Sequence, residues 1–316
     1  MNKLVCIMFA LLIGVSTALA DVEIRTWDDL QNMQNDLEVS YVLMNSLTSD
    51  TEGYSNYSTG SGFSPIGSYG NEFVGGFDGQ GYVIDGLYIN RPALDSVGLF
   101  GYTDRNYSLP KSSISNVGLL NVDIIGGYRT GGLAGRSASN ISKCFVTGTV
   151  TGEASNSLAA GLAAQSHGVV ENCFAQAYVS AVYSVAGLIE FNNGTINACY
   201  STGEVSGGAN YFGGLVAEPA GHGGGVLSSS FWDVDASGTI LGAGTGKTTV
   251  EMKTLSTYTD IGTEGLSTPW DFDDVWVIDS AQEYPSFQNT VPEPAAIGLL
   301  GLGGLLTLLI SRLRRR

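Results

Sequence analysis

The sequence predicts an all-β chain wound as a right-handed parallel β-helix of about seven coils, with short N- and C-terminal capping segments. Two observations carry the prediction. Between Val97 and Gly238 one pattern recurs five times with variations, as VGLFG…ISNVG, GGLAG…ISKCF, AGLAA…VENCF, AGLIE…INACY and GGLVA…LSSSF. Its anchoring glycines, Gly98, Gly132, Gly161, Gly187 and Gly214, lie 34, 29, 26 and 27 residues apart, a period that marks a solenoid. Each copy also divides into three short pieces, a Gly-Leu-small run and two stretches of period-two alternation bounded by Gly, Ser and Asn, which argue for strands. No copy holds an apolar stripe at helical spacing, and a propeller blade would need four strands and about 40 residues.

Stacking such coils sets equivalent residues about 4.8 Å apart. One predicted column is Val117, Cys144, Cys173, Cys199 and Ser230, flanked by Ile114, Ile141, Val170, Ile196 and Leu227. A single coil has no partner for this apolar face, so its stability comes from the stack.

In chain order, residues 1–20 carry Lys3, an apolar run from Leu4 to Val15 and a small-residue end at Ala18 and Ala20, the pattern of a secretory signal peptide. The β-helix is assigned to 21–238. Its start holds Thr26 as a helix N-cap, Asp28 and Asp29 at the positive end of the dipole, and Leu30, Met33 and Leu37 at helical spacing. This helix is expected to cover the first coil, whose parallel edge would otherwise invite pairing. A strand at 41–44, a polar loop at 48–62 and a Gly79-Gln80-Gly81 corner complete about two coils before the five clear ones.

Residues 239–290 are assigned to a C-terminal cap, with a short helix from Thr248 to Lys253 and Trp270, Phe272, Trp276 and Ile278 against the last coil. The Gly244-Thr245-Gly246-Lys247-Thr248 run is no phosphate loop, because Leu241 stands where that motif needs glycine. The tail, 291–316, contains Pro292-Glu293-Pro294, an apolar segment at 295–310 and Arg312, Arg314, Arg315 and Arg316. So short a segment barely spans a hydrocarbon core of about 30 Å, and its arginines place the carboxyl end in the cytoplasm.

Two resemblances follow from these residues. Gly213-Gly214-Leu215-Val216-Ala217, the stretch Gly194 to Gly207 and Phe77-Asp78-Gly79-Gln80-Gly81 resemble the GLUG-motif repeat of large bacterial and archaeal surface proteins and adhesins. Phe231-Trp232-Asp233, Gly244 to Met252 and Trp276 to Asp279 are similar to the segment that closes such arrays, so the likeness spans roughly 22–288. The tail resembles a PEP-CTERM sorting signal, which implies cleavage near Pro292 by an exosortase-type membrane protease in a Gram-negative-type bacterium that makes exopolysaccharide. An ordinary tail anchor is the alternative.

Charge and composition narrow the function. The chain has 14 basic and 30 acidic residues. Five of the basic ones, Lys3 and the four tail arginines, lie outside the body, leaving it nine basic against 30 acidic, about −21. Such a body is not drawn to nucleic acid by its charge. No cofactor is implied, and Ca²⁺ is expected to associate only weakly and nonspecifically. Asp233 with Asp235, and Asp271 with Asp273 and Asp274, lack the spacing of a calcium loop, so no metal site is assigned. Cysteines do not sit at zinc-finger spacing. Three of them, Cys144, Cys173 and Cys199, remain beyond the signal, and in-register stacking suits a ladder of buried thiols better than disulfides.

No catalytic constellation is assigned. His167 and His222 lie in glycine-flanked turns, and Asp123 with Arg129 and Arg136 is the nearest approach to an active site. Fifteen tyrosines, among them Tyr54, Tyr57, Tyr69, Tyr88, Tyr102, Tyr107 and Tyr128, include candidates for stacking on sugar rings. Sequons at Asn56, Asn106, Asn140 and Asn193 carry no meaning in a bacterium. The expectation is a non-enzymatic, exported protein, membrane-anchored during sorting and then at the cell surface or in the extracellular matrix, with a structural or adhesive role alongside exopolysaccharide. A polysaccharide-degrading or -modifying enzyme and an inert surface spacer are the alternatives.

Overall fold

A computed structural model describes residues 21–104, 112–217, 224–278 and 283–288. The expected signal peptide with Ala18 and Ala20, the sorting tail with Pro292, Glu293, Pro294, Arg314, Arg315 and Arg316, the apolar segment 295–310, and His222, Asn106 and Tyr107 lie outside the described residues. Among the described residues no helix is long and apolar enough to cross a membrane.

The chain forms a parallel β-solenoid. Its first sheet is an unbroken ladder of eight strands: Val22–Ile24, Tyr41–Leu43, Phe77–Asp78, Ser113–Ser115, Asn140–Ser142, Val169–Glu171, Thr195–Asn197 and Val226–Ser228. The second contains the long strands Gly118–Gly126, Phe145–Gly152 and Phe174–Ala181, and it ends on Thr245–Lys247. A third runs through Ser96–Val97, Arg129–Gly131, Leu158–Ala160, Ser184–Ala186 and Tyr211–Gly213. The fourth stacks Phe100–Thr103, Ala134–Ser137, Ala163–Ser166 and Ile189–Asn192.

Two expectations are corrected. Each complete turn has four sheets rather than three strands, because the repeat glycine bends the Gly-Leu-small run into two strands on different faces. Among the described residues complete turns number four, at 77–103, 113–137, 140–166 and 169–192, rather than about seven. At the N-terminal end the first two rungs form strands in the first sheet, and beyond it Leu47, Ile66 and Phe73 meet Ile84, Phe100 and Thr103 through single bridges. The intervening chain there supplies Phe63, Ile66 and Phe73 to the core instead of more strands. At the C-terminal end, Val216 meets Ile189 through a single bridge.

Side-chain columns explain why these residues stack. The register sets Ile114, Ile141, Val170, Ile196 and Leu227 one above another. Cys144, Cys173 and Cys199 are fully buried free thiols beside them. Each donates to the carbonyl two residues back, at 3.3, 3.2 and 3.1 Å, as Ser230 does at 2.7 Å. A small side chain with a weak donor therefore suits this column. Repeat glycines form a column of their own. A Cβ on Gly161 would lie 2.3 Å from the Gly187 carbonyl oxygen, and one on Gly187 2.0 Å from that of Gly214, so close backbone approach requires glycine. Gly98 and Gly132 make the same approach to the backbone one turn on, and Gly214 meets Trp232.

The corner between the first and second sheets is a column of left-handed residues. Asn116, Lys143, Asn172, Ala198 and Ser229 have φ of 54°, 51°, 51°, 51° and 44°. Their backbones still serve the ladder, with Asn116, Lys143 and Asn172 each donating to the next turn at 3.1 Å.

The N-terminal end is closed by helix Trp27–Asn32, whose Thr26 forms a capping box with Asp29. Trp27, Leu30 and Met33 sit in the core as its lid. The C-terminal segment follows a different route from the one expected. Thr248 caps helix Thr249–Met252 in a second capping box. Beyond it, Trp270, Trp276 and Phe287 run back along the flank of the stack rather than resting only on the last turn. There they cover an outer column of Phe145, Phe174, Tyr200 and Phe231, whose first three rings stack at 4.8 and 4.9 Å. That column is apolar and outward-facing, so it draws the segment along the side.

Candidate functional site

Polar groups converge along the outer corner where the third and fourth sheets meet. Arg129, on the third sheet, stacks above Ser96, and its Nη1 pairs with Asp95 Oδ2 at 2.8 Å. Tyr102 OH donates to the same oxygen at 2.6 Å, and Ser96 Oγ at 3.1 Å. Burial, with the Asp95 carboxylate beside it, pushes the Tyr102 phenol upward. The Arg129 guanidinium lies 4.3 Å from the ring centre of Tyr128. Arg136, on the fourth sheet, stacks between Tyr102 and Gln165.

Glu190 is fully buried at this corner. It accepts from Ser184 Oγ at 2.6 Å through Oε1, while Oε2 has no hydrogen-bond partner. Burial raises its carboxyl from 4.5 to about 7, against the pull of the Ser184 bond and of the Arg129 charge. In the neighbouring turn, His167 is held down at about 4 by burial and by the charges of Arg136 and Arg129. Its ring lies 6.2 Å from Phe191. His167 follows strand Ala163–Ser166 at the turn into the first sheet, whereas Glu190 meets Ser184 where the third sheet passes into the fourth.

Toward the N-terminal end this corner opens into a cleft of about 440 Å³, lined by Gln34, Tyr69, Asn71, Asp95, Ser96 and Tyr102 among others. The second sheet presents a separate polar surface. Tyr88, Asp123, Thr149 and Tyr178 stand in one register column, and Asn90, Ile125, Thr151, Ser180 and Ser206 in the next but one. Ser180 and Thr151 are joined at 3.2 Å.

The residues singled out from sequence are therefore divided. Arg129 and Arg136 occupy adjacent faces of one corner, whereas Asp123 is exposed on the second sheet. The acids at the corner are Asp95 and Glu190. Glu190 had a signal in the repeat alignment: it is the fifth letter of AGLIE, where the other copies have Gly101, Gly135, Ala164 and Ala217. A buried carboxylate thus stands where the other four copies have glycine or alanine. Asp233 caps helix Val234–Ser237 and accepts from Thr249 Oγ1 and Tyr284 OH, both at 2.7 Å. Among the described residues no group of three His, Cys, Asp or Glu gathers as a metal site.

Comparison with known proteins agrees with this architecture. A family model described as the GLUG motif matches residues 126–151, which span the corner carrying Arg129 and Arg136. Over 145 residues the chain is 34% identical to halomucin of Haloquadratum walsbyi, covering 44% of this chain and 2% of that protein. Over 105 residues it is 38% identical to a protein of Evansella cellulosilytica named as a candidate Gly-rich membrane protein, covering 32% of this chain and 11% of the relative. The chain thus spans only a small fraction of the relatives it matches. A solved structure of a candidate immunoglobulin A1 protease from Bacteroides ovatus shares the fold, with a TM-score of 0.57 and 18% identity over 85% of this chain and 92% of that one.

Proposed function

We propose that the chain is an exported protein of the cell surface or extracellular matrix, with a structural or adhesive role in association with exopolysaccharide. The observation that carries this reading is the column Tyr88, Asp123, Thr149 and Tyr178, with the hydroxyls of Thr151, Ser180 and Ser206 beside it. Rungs about 4.8 Å apart repeat the same weak polar and aromatic contacts along a rigid face. Weak contacts that are held in fixed geometry act together, because the second forms at the effective concentration set by the first. The likeness to a protein named as a mucin and to one named as a membrane protein supports the location.

In this reading residues 1–20 direct export. An exosortase-type protease then acts at Pro292-Glu293-Pro294, and segment 295–310 with Arg314, Arg315 and Arg316 holds the chain in the membrane only until that cut. Intact-mass analysis of protein from the native envelope and medium tests the route: a species from Asp21 to near Pro292 supports it, and an unprocessed chain ending at Arg316 contradicts it. For the surface itself, protein purified from cells expressing the full chain is tested for retention on the polysaccharide of those cells. Tyr178→Ala and Tyr88→Ala are expected to reduce retention stepwise, and undiminished retention in the double variant would count against the ladder.

A second reading, an enzyme that cleaves or modifies polysaccharide, is favoured by the buried Glu190 carboxyl, which burial raises to about 7 against the pull of Ser184 and the Arg129 charge. Loss of a measured turnover in Glu190→Gln, with native melting, would establish it over the matrix role.

A further inference from the structure

The cleft lined by Tyr69, Asp95 and Tyr102 has the composition of a ligand subsite. Tyr69 stands at the tip of a closed turn, in which the Ser68 amide donates to the Asn71 carbonyl at 2.8 Å and the Asn71 amide returns the bond at 3.0 Å. Gly70 at φ +89° makes that reversal possible. The Tyr69 side chain is thereby held outward, 74% exposed, with its ring 5.9 Å from that of Tyr102 and inclined at 71°. A large ring fixed in water by a rigid turn does nothing for the core, but it offers an apolar platform.

Asp95 supplies the polar counterpart. Its Oδ2 is saturated by Tyr102, Arg129 and Ser96, which fixes the plane of the carboxylate. Its Oδ1 accepts from none of the described residues, and the side chain is 52% exposed. The Arg129 charge offsets that of Asp95, and the body as a whole is strongly acidic, so the cleft is unsuited to a polyanion. An apolar platform, an oriented acceptor and the amides of Gln34 and Asn71 complement a ring with an apolar face and a hydroxyl rim.

We infer that this cleft is a subsite for a neutral pyranose unit, which stacks on Tyr69 and donates a hydroxyl to Asp95 Oδ1. The inference rests on the polysaccharide-associated reading above and places a specific contact outside the second-sheet ladder.

The test uses protein purified from cells expressing the full chain, titrated with cellohexaose, maltohexaose and mannohexaose and with tetragalacturonate as the anionic control. At least one neutral hexasaccharide is expected to bind. Tyr69→Ala should weaken that binding tenfold or more with unchanged melting, since its side chain lies outside the core. Asp95→Asn should weaken it, while Ile240→Ala, an exposed residue outside both the cleft and the ladder, leaves it intact. Absence of binding to all three neutral sugars, preference for tetragalacturonate, or full affinity in Tyr69→Ala would each overturn the subsite. Retention of native polysaccharide that is lost in Tyr178→Ala but not in Tyr69→Ala would likewise overturn it and leave the ladder standing. No retention of the parent protein on native polysaccharide would remove the broader reading itself.

Discussion

The indole Nε1–H of Trp276 donates to Oδ1 of Asn172 at 3.1 Å, joining residues 104 positions apart in the chain. Asn172 does two things at once. Its backbone, at φ +51°, turns the corner between the first and second sheets, and its side chain anchors the C-terminal segment on the flank. Trp270 repeats the arrangement near the end of the stack, donating to the Ser229 carbonyl at 2.8 Å. The returning segment is thus pinned to the left-handed column.

Substitutions separate those two jobs. Trp276→Phe removes the bond and keeps most of the ring, for a loss of about 1 kcal/mol, whereas Trp276→Ala should lose about 3–5 kcal/mol. Asn172→Gly loses only the acceptor, but Asn172→Ala adds the left-handed penalty of about 1–2 kcal/mol. Urea unfolding of the four variants measures these differences. Equal losses for the glycine and alanine variants would show that the corner backbone is not under this constraint.

Glycine in the repeat column is required by space. Gly187→Ala puts a methyl 2.0 Å from the Gly214 carbonyl oxygen, and Gly224→Ala meets nothing within 4 Å. The first is expected to lose about 3 kcal/mol or more or fail to fold, and the second to stay within about 0.5 kcal/mol of the parent. Thermal melting decides it. Similar melting points would mean that the turns can move apart at no cost.

The pH dependence has two opposed parts. The folded chain keeps a proton on Glu190 up to about pH 7 that the unfolded chain releases near 4.5, so this group makes stability fall as pH rises through that window. His167 acts the other way, because the unfolded imidazole takes a proton below 6.5 and the folded one only below about 4, so stability falls as pH drops. The two slopes overlap and largely cancel around pH 5–6. Glu190→Gln removes the first, which should leave stability rising with pH there and raise it by about 3 kcal/mol at pH 8. Denaturation midpoints at pH 5, 6 and 8 provide the test, and parallel profiles for parent and variant would refute it.

The three stacked thiols are expected to be chemically silent in the native chain. Cys144, Cys173 and Cys199 are fully buried, and burial pushes the thiols of Cys144 and Cys173 well up, so little thiolate exists for attack. A thiol reagent at pH 8 should label none of the three before unfolding and all three in denaturant. Rapid labelling of the native protein would show that the stack opens readily at this column.

Much of the fold was legible because a solenoid repeats its demands. Five copies of Gly-Leu-small state the same steric requirement, and the column Ile114 to Leu227 could be aligned without knowing how the coil bends. Helix Trp27–Asn32 was legible too, since its cap and dipole signals are local. Lys143, Ala198 and Ser229 did not advertise their left-handed backbone, as none is a residue chosen for φ above zero, and the fourth sheet was hidden within a run read as one piece. The flanking path of Trp276 was equally silent, because sequence shows an aromatic residue but not the Phe145, Phe174 and Tyr200 column that it covers.

By itself the sequence determined the period, the parallel β-solenoid and the residues that stack in columns, because these follow from spacing along the chain and from the identity of side chains one repeat apart. Only the tertiary structure decided what meets across a corner. Asp95 with Arg129, Ser184 with Glu190, and Tyr69 with Tyr102 belong to different strands, sheets or loops, and the bend between them depends on corner backbone and connection length. Packing within a column is a one-dimensional matter, whereas a site is made where two faces turn toward each other.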